Sequence, residues 1–195
     1  MAILPVYLYG QPVLRKKAKP VRHGDEALVK FVQDMFETMH NANGIGLAAN
    51  QVGSLQRVIV VDLTGMGEDE EFRILTADRR PIALINPVVV SEAGRWTMEE
   101  GCLSIPEVRE EVDRPESIRV KYKDAQFMDQ ELEASGFLSR VILHEIDHLN
   151  GVLFFDKIGI VKRKLLRGRL NKIAKGEVEV SYPVVSSVSL GVEAA

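Results

Sequence analysis

Apolar residues recur along this chain with two periods, and the switches between them divide it into elements. After Asp25, a good N-cap, Leu28, Val32, Met35, Phe36 and Met39 follow at helical spacing, which predicts a helix to about Asn41. Asn43-Gly44 breaks it. Strand-like runs come next: RVIVVDL at 57–63, IALINPVVV at 82–90, SIRVKY at 117–122, then QELEA. Pro87 inside the second run predicts an edge strand or a bulge. Residues 64–80 are charged and aperiodic, which predicts a surface excursion. A second helix is predicted in GFLSRVILHEIDHLNGVLFFD, 136–156, where Val141, Ile142, Ile146 and Leu149 keep helical spacing and Ser135 can cap. A third covers 160–176, with an apolar stripe of Val161, Leu165, Leu166, Leu170 and Ile173 facing the body. Pro5, Pro12 and Pro20 make residues 1–22 an extended arm.

This order predicts the α+β class: short, mostly antiparallel strands around a central helix, with a helix near the C-terminus. The length of 195 residues suits one domain, taken as residues 1–180, followed by a β-prone tail at 181–195 with no predicted order. A net charge of −3 provides no global basic field to draw the chain to DNA or to a membrane. The single cysteine excludes an internal disulfide and fits a reducing cytoplasm. No run is apolar and long enough to span a bilayer, and the N-terminus does not read as a signal peptide.

The chemistry starts at HEIDH, His144 to His148. Histidines four residues apart on a helix lie one turn apart on one face and can reach the same cation. Glu145 can lean over that site without ligating it. The ordinary account is a pair of core histidines, which a glutamate in an otherwise apolar turn weakens. A metal site needs a third ligand. The metzincin pattern puts a histidine at position 154, which is Phe154 here, and no glutamate lies between His148 and Glu177. The search therefore moves upstream to His23, His40, Cys102 and the carboxylates. His23 sits in a charged stretch and His40 at a helix end, where neither needs a ligand role. Cys102 is either a buried small hydrophobe or a thiolate ligand that leaves one position open to water. The glycine-rich GIGLAANQVG, 44–53, is either a turn into the next strand or a loop whose backbone closely approaches a ligand, with Gln51 as its polar side chain.

GIGLAANQVG, EGCLSIP and HEIDHLNG, in this order, resemble the three motifs of the peptide deformylases, GxGLAAxQ, EGCLS and HExDH. The resemblance runs from the YGQPVLRKKAKPV arm to the basic C-terminal helix. It implies one divalent metal held by Cys102, His144 and His148, with Fe2+ the usual ion and Zn2+, Ni2+ or Co2+ compatible with the same ligands. It implies Glu145 as proton carrier, with the Gln51 amide and the Leu103 N–H as oxyanion donors. The substrates would be formyl-methionyl nascent peptides. Main-chain groups of Ile45, Gly46 and Gly101 would pair with the peptide as an added strand. Phe137 and Val141, with Ile45 opposite, would receive the methionine side chain, and Glu107 and Arg109 would orient the residues beyond it. Arg140 falls on the same helix face and is expected to snorkel to the rim. Glu100 is expected to pair with Arg114 and hold the Cys102 loop. The basic helix at 161–175 offers a surface for the ribosome. The competing readings are a metallopeptidase and a non-catalytic metal-binding homologue.

Overall fold

β3 (Val58–Val61) is apolar at every position because both of its faces are covered. Val58 and Val60 join the cluster of α1 (Glu26–Asn41), while Ile59 and Val61 join that of α2 (Gly136–Leu149). Alternation along one strand thus places two helices on opposite faces of one sheet. The structure is a computed structural model and describes residues 2–64, 66 and 80–187. Most of the excursion expected at 64–80, and 188–195 of the expected tail, lie outside the described residues.

The five-stranded sheet runs β2 (Gly46–Ala48), β3, β4 (Ile82–Ala93), β7 (Ser117–Lys123), β8 (Asp129–Ser135), each pair antiparallel. β4 is an interior strand, so Pro87 marks a bulge and not an edge: the register shifts between Ile85 and Val88, and Asn86 takes a φ of 54°. A separate hairpin, β5 (Trp96–Cys102) and β6 (Ile105–Arg114), carries the cysteine. Its inner face, with Ile105, Val108 and Val112, packs on Phe154, Phe155 and α3 (Ile160–Ala174). Near the two ends of the chain, β1 (Val6–Tyr7) pairs in parallel with β9 (Val184–Val185). The fold is α+β with mostly antiparallel strands and, among the described residues, three helices.

The helix ends follow local chemistry. Asp25 caps α1 by accepting from Leu28 N at 2.8 Å. Ser135 occupies the N-cap position of α2 but makes no side-chain capping bond. β8 runs directly into the helix, and Gly136 N donates to Glu116 O at 2.7 Å instead. The stripe expected on α3 is narrower than its sequence suggests. Leu166, Leu170 and Ile173 are buried, but Val161 and Leu165 are exposed, because α3 meets the body along one seam only.

Candidate active site

α2 passes through the centre of the molecule, and all of its residues except Asp147 are buried. Its one-turn spacing sets His144 and His148 side by side, ring centroids 5.0 Å apart. The β5–β6 hairpin delivers Cys102 to them, with Sγ 3.1 Å from His148 Nε2. Ligand atoms of Cys102, His144 and His148 all lie within 4.8 Å of one another. Cys102 and His144 line a cleft of about 530 Å³, with His148 buried behind them.

These three residues fit a divalent cation. Glu100 accepts from His144 Nδ1 at 2.9 Å, which fixes the tautomer that frees Nε2 as a ligand. Burial alone would lower the His144 pKa, but hydrogen bonds to Cys102 and Glu100 outweigh it and raise it to about 10. Burial holds His148 well below its usual value, leaving a neutral imidazole able to ligate. Two nitrogens and a sulfur make a set compatible with zinc or iron(II).

Glu100 is the hub behind the ligands. Arg114 Nη2 donates to its Oε2 at 2.9 Å, as expected from the sequence, and Arg140 Nη1 donates to its Oε1 at 2.6 Å. Burial would raise the Glu100 pKa, yet the bonds from His144 and Arg114 bring it down to about 2. Arg140 does not snorkel: it is 2% exposed, bonded to Glu100 and to the carbonyls of Trp96 and Val112, and stacked over the Trp96 ring. Arg114 Nη1 also donates to Asp147 at 2.7 Å, and Asp147 pairs with Lys157 at 3.1 Å. The sequence signal for Arg140 was a long cation on an apolar helix face, and the signal for Asp147 was its place three residues from His144.

The glycine-rich segment supplies the opposite wall. β2 is the end strand of its sheet, so its outer edge is not paired by another strand among the described residues. Gly46 lies against α2: a Cβ there would stand 2.5 Å from Glu145 Oε1 and 2.9 Å from Val141 Cγ1. The carboxyl of Glu145 is buried, Oε2 has no hydrogen-bond partner, and burial pushes its pKa up to about 7. Gln51 is held by its carbonyl, which accepts from Ala48 N at 2.8 Å. That turns Nε2 toward Cys102 Sγ, 3.5 Å away, and Ser104 Oγ, 3.3 Å away.

Ile45, Gly46, Gln51, Gly101, Leu103, Phe137, Val141 and Glu145 all line the cleft. Glu107 and Arg109 stand exposed at its rim, with Glu107 at a φ of 62°, a conformation non-glycine residues rarely hold. Ser104 and Tyr182 were not singled out from the sequence. Ser104 is fully buried behind Gln51, and Tyr182 reaches the cleft from beyond α3. Only the serine of EGCLS carried a signal; Tyr182 had none.

An HExxH helix crossing an α+β body, with a thiol brought to its histidines and a glutamate over them, defines a metal-dependent hydrolase. The sequence profile of the polypeptide deformylase family matches residues 3–164. A peptide deformylase of Salinibacter ruber is 51% identical over 185 residues, covering 94% of this chain and 95% of that protein. The crystal structure of a peptide deformylase from Legionella pneumophila superposes with a TM-score of 0.79 at 38% identity, covering 90% of this chain and 98% of that one. A peptide deformylase from Ehrlichia chaffeensis in complex with actinonin gives 0.80 at 34% identity, covering 92% and 100%. The chain belongs to the polypeptide deformylase family.

Proposed function

We propose that this chain hydrolyses the formamide of N-formylmethionyl polypeptides newly made in the cytoplasm, releasing formate and a free amino terminus. The observation that carries this is the juxtaposition of Glu145, the Cys102–His144–His148 set and the outer edge of β2, which no strand pairs among the described residues, at one cleft.

Cys102, His144 and His148 would hold the metal. When bound, a divalent cation supplies Lewis acidity, which acidifies water and polarises a carbonyl. The chain's own residues do the rest. Glu145, desolvated and with one oxygen unpartnered, takes a proton from the attacking water and returns it to the leaving amine nitrogen as the C–N bond breaks. Gln51 Nε2 and Leu103 N–H donate to the oxygen that gains charge on the formyl carbon. Each such donor contributes about 2.7–4 kcal/mol to lowering the barrier. The peptide extends along β2, pairing with main-chain groups of Ile45, Gly46 and Gly101, and Gly46 lets it pass close to Glu145. The apolar side chains of Phe137, Val141 and Ile45 receive methionine. Glu107 and Arg109 orient the residues that follow.

The metallopeptidase reading explains neither GIGLAANQVG nor EGCLSIP. A structural metal site would have no use for a buried, partner-poor Glu145. Formate release from formyl-Met-Ala-Ser, assayed with anaerobic iron(II) and with zinc, tests all three readings. Glu145→Ala should lose formate release while keeping its metal. Internal peptide cleavage without formate would overturn the proposal. Fe2+ is the physiological ion proposed; metal analysis of protein prepared without oxygen checks it, and zinc found in its place would refute it.

The ribosome contact rests on α3. Its residues include Arg163, Lys164, Arg167, Arg169 and Lys172, no acid, and exposed Ile160, Val161 and Leu165. Binding to ribosomal RNA predicts co-sedimentation with ribosomes that weakens steeply with salt. Absent or salt-insensitive co-sedimentation would remove the proposal.

A further inference from the structure

Leu103 and Ser104 alone connect β5 to β6, since Cys102 pairs with Ile105 across the turn. Two-residue hairpin turns suit the strand twist when a central residue takes left-handed φ. Neither Leu103 nor Ser104 does so. The turn is therefore not one that its own strands favour, and contacts from outside must hold it. Three of them are hydrogen bonds. Tyr9 N donates to Ser104 O at 2.8 Å, Gln51 Nε2 donates to Ser104 Oγ at 3.3 Å, and the Tyr182 hydroxyl donates to Leu103 O at 2.8 Å. The Leu103 side chain is packed as well, against the cluster around α1 and close to Gly44, where an added Cβ would come within 2.8 Å of it.

We propose that Tyr182 is a positioning residue for catalysis: by holding the Leu103 carbonyl, it sets the direction in which the Leu103 N–H points into the cleft. The inference rests on the reading of that N–H as an oxyanion donor. The N–H and C=O of one residue are separated only by φ and ψ. With the side chain and the carbonyl both held, the N–H has little freedom left. An oxyanion donor is effective only when aimed in advance at the place where charge develops.

Tyr182 is itself held in place. Val6 N donates to Pro183 O at 2.8 Å, Leu8 N to Val185 O at 2.9 Å, and Ser187 N to Ala174 O at 3.2 Å. The segment after α3 is thus tied to β1 and to the end of α3, and Tyr182 leans from it over the turn. Tyr182 also lies outside the 3–164 match to the family. This chain completes its cleft with a group from a segment that the match does not include.

A residue that only walled the cleft would act on substrate binding. Tyr182→Phe separates the two roles, because it keeps the ring and removes the donor. Wild type and variant are compared in formate release from formyl-Met-Ala-Ser, with metal content measured on the same samples. The expected result is a fall in kcat of about tenfold with KM within about twofold, because the lost alignment matters only in the transition state. Metal content should be unchanged. An unchanged kcat, a rise in KM alone, or a loss of activity proportional to lost metal would each overturn the inference. If wild type releases formate and the variant matches it, only this inference falls. If wild type releases none, the deformylase reading falls and takes this inference with it.

Discussion

α2 and α3 are nearly equal in length, 14 and 15 residues, and opposite in how they meet the rest of the molecule. Around α2 the sheet, the β5–β6 hairpin and Phe154 leave almost nothing exposed. On α3 only Leu166, Leu170 and Ile173 are buried. Both helices are rich in ionisable residues, and the difference in burial decides what those residues do. A charge removed from water must find partners or lose its charge. Arg140, His144 and Glu145 are therefore fixed in place, and the histidine and the glutamate have displaced pKa values. The cations of α3 stay largely in solvent, where each contributes little to stability. Burial holds the ionisable groups of α2 in one arrangement, while exposure leaves those of α3 to solvent.

The strongest way to break this contrast is Glu100→Ala. It removes the one carboxylate shared by Arg114, Arg140 and His144, and leaves Arg140 buried with main-chain carbonyls alone and Arg114 with Asp147 alone. Loss of one partner from a buried pair costs about 3–5 kcal/mol. Urea denaturation should show a loss of that size, with weaker metal retention in the folded fraction. A variant of wild-type stability would mean that the Arg114–Asp147 pair suffices to hold the hairpin.

Gly46→Ala tests the closeness of β2 to α2. Its Cβ would displace the Glu145 carboxyl, since 2.5 Å is shorter than real Cβ contacts allow. If Glu145 carries the proton as proposed, a displacement of about 1 Å can cost about 100-fold in rate. The expected outcome is a fall of that order in kcat for formate release with metal content intact. A variant with full kcat would show that the carboxyl can swing aside without cost.

On α3 the buried seam should behave like a small core. Leu166 is 8% exposed, and Leu166→Ala should cost about 2 kcal/mol, the low end for a buried leucine because one face of the helix has room to relax. Thermal unfolding checks this; no measurable change would mean that α3 is not packed on Phe154 and β6.

What the sequence could reveal follows the same division. HEIDH was legible because two histidines and a glutamate sit within one helical turn, and helical spacing alone fixes their common face. β3 was legible as an apolar run, although only the tertiary structure shows that alternate residues serve two different clusters. Arg140 was misread because its counterion lies 40 positions away on a hairpin whose register no local pattern gives. Tyr182 was silent for a similar reason: its partner is a main-chain carbonyl 79 residues earlier. The stripe on α3 was read too broadly, since periodicity shows which residues share a face but not how much of that face meets a neighbour. Val161 and Leu165 are 74% and 79% exposed, so that part of the face meets little of the body among the described residues.

Leu165 gives the smallest expected effect and the sharpest use of the comparison. It is 79% exposed and adjacent to Leu166, so Leu165→Ala removes almost no buried area. Stability should change by no more than about 0.5 kcal/mol, as for surface substitutions in general. If α3 docks on the ribosome through its exposed apolar residues as well as its cations, the same substitution should lower co-sedimentation while leaving the urea midpoint and formate release on free peptide unchanged. A leucine in water adds nothing to the fold, but desolvating it against a partner adds affinity. Equal co-sedimentation of Leu165→Ala and wild type would show that the contact is carried by charge alone, and a matched loss of stability would show that Leu165 packs against the body after all.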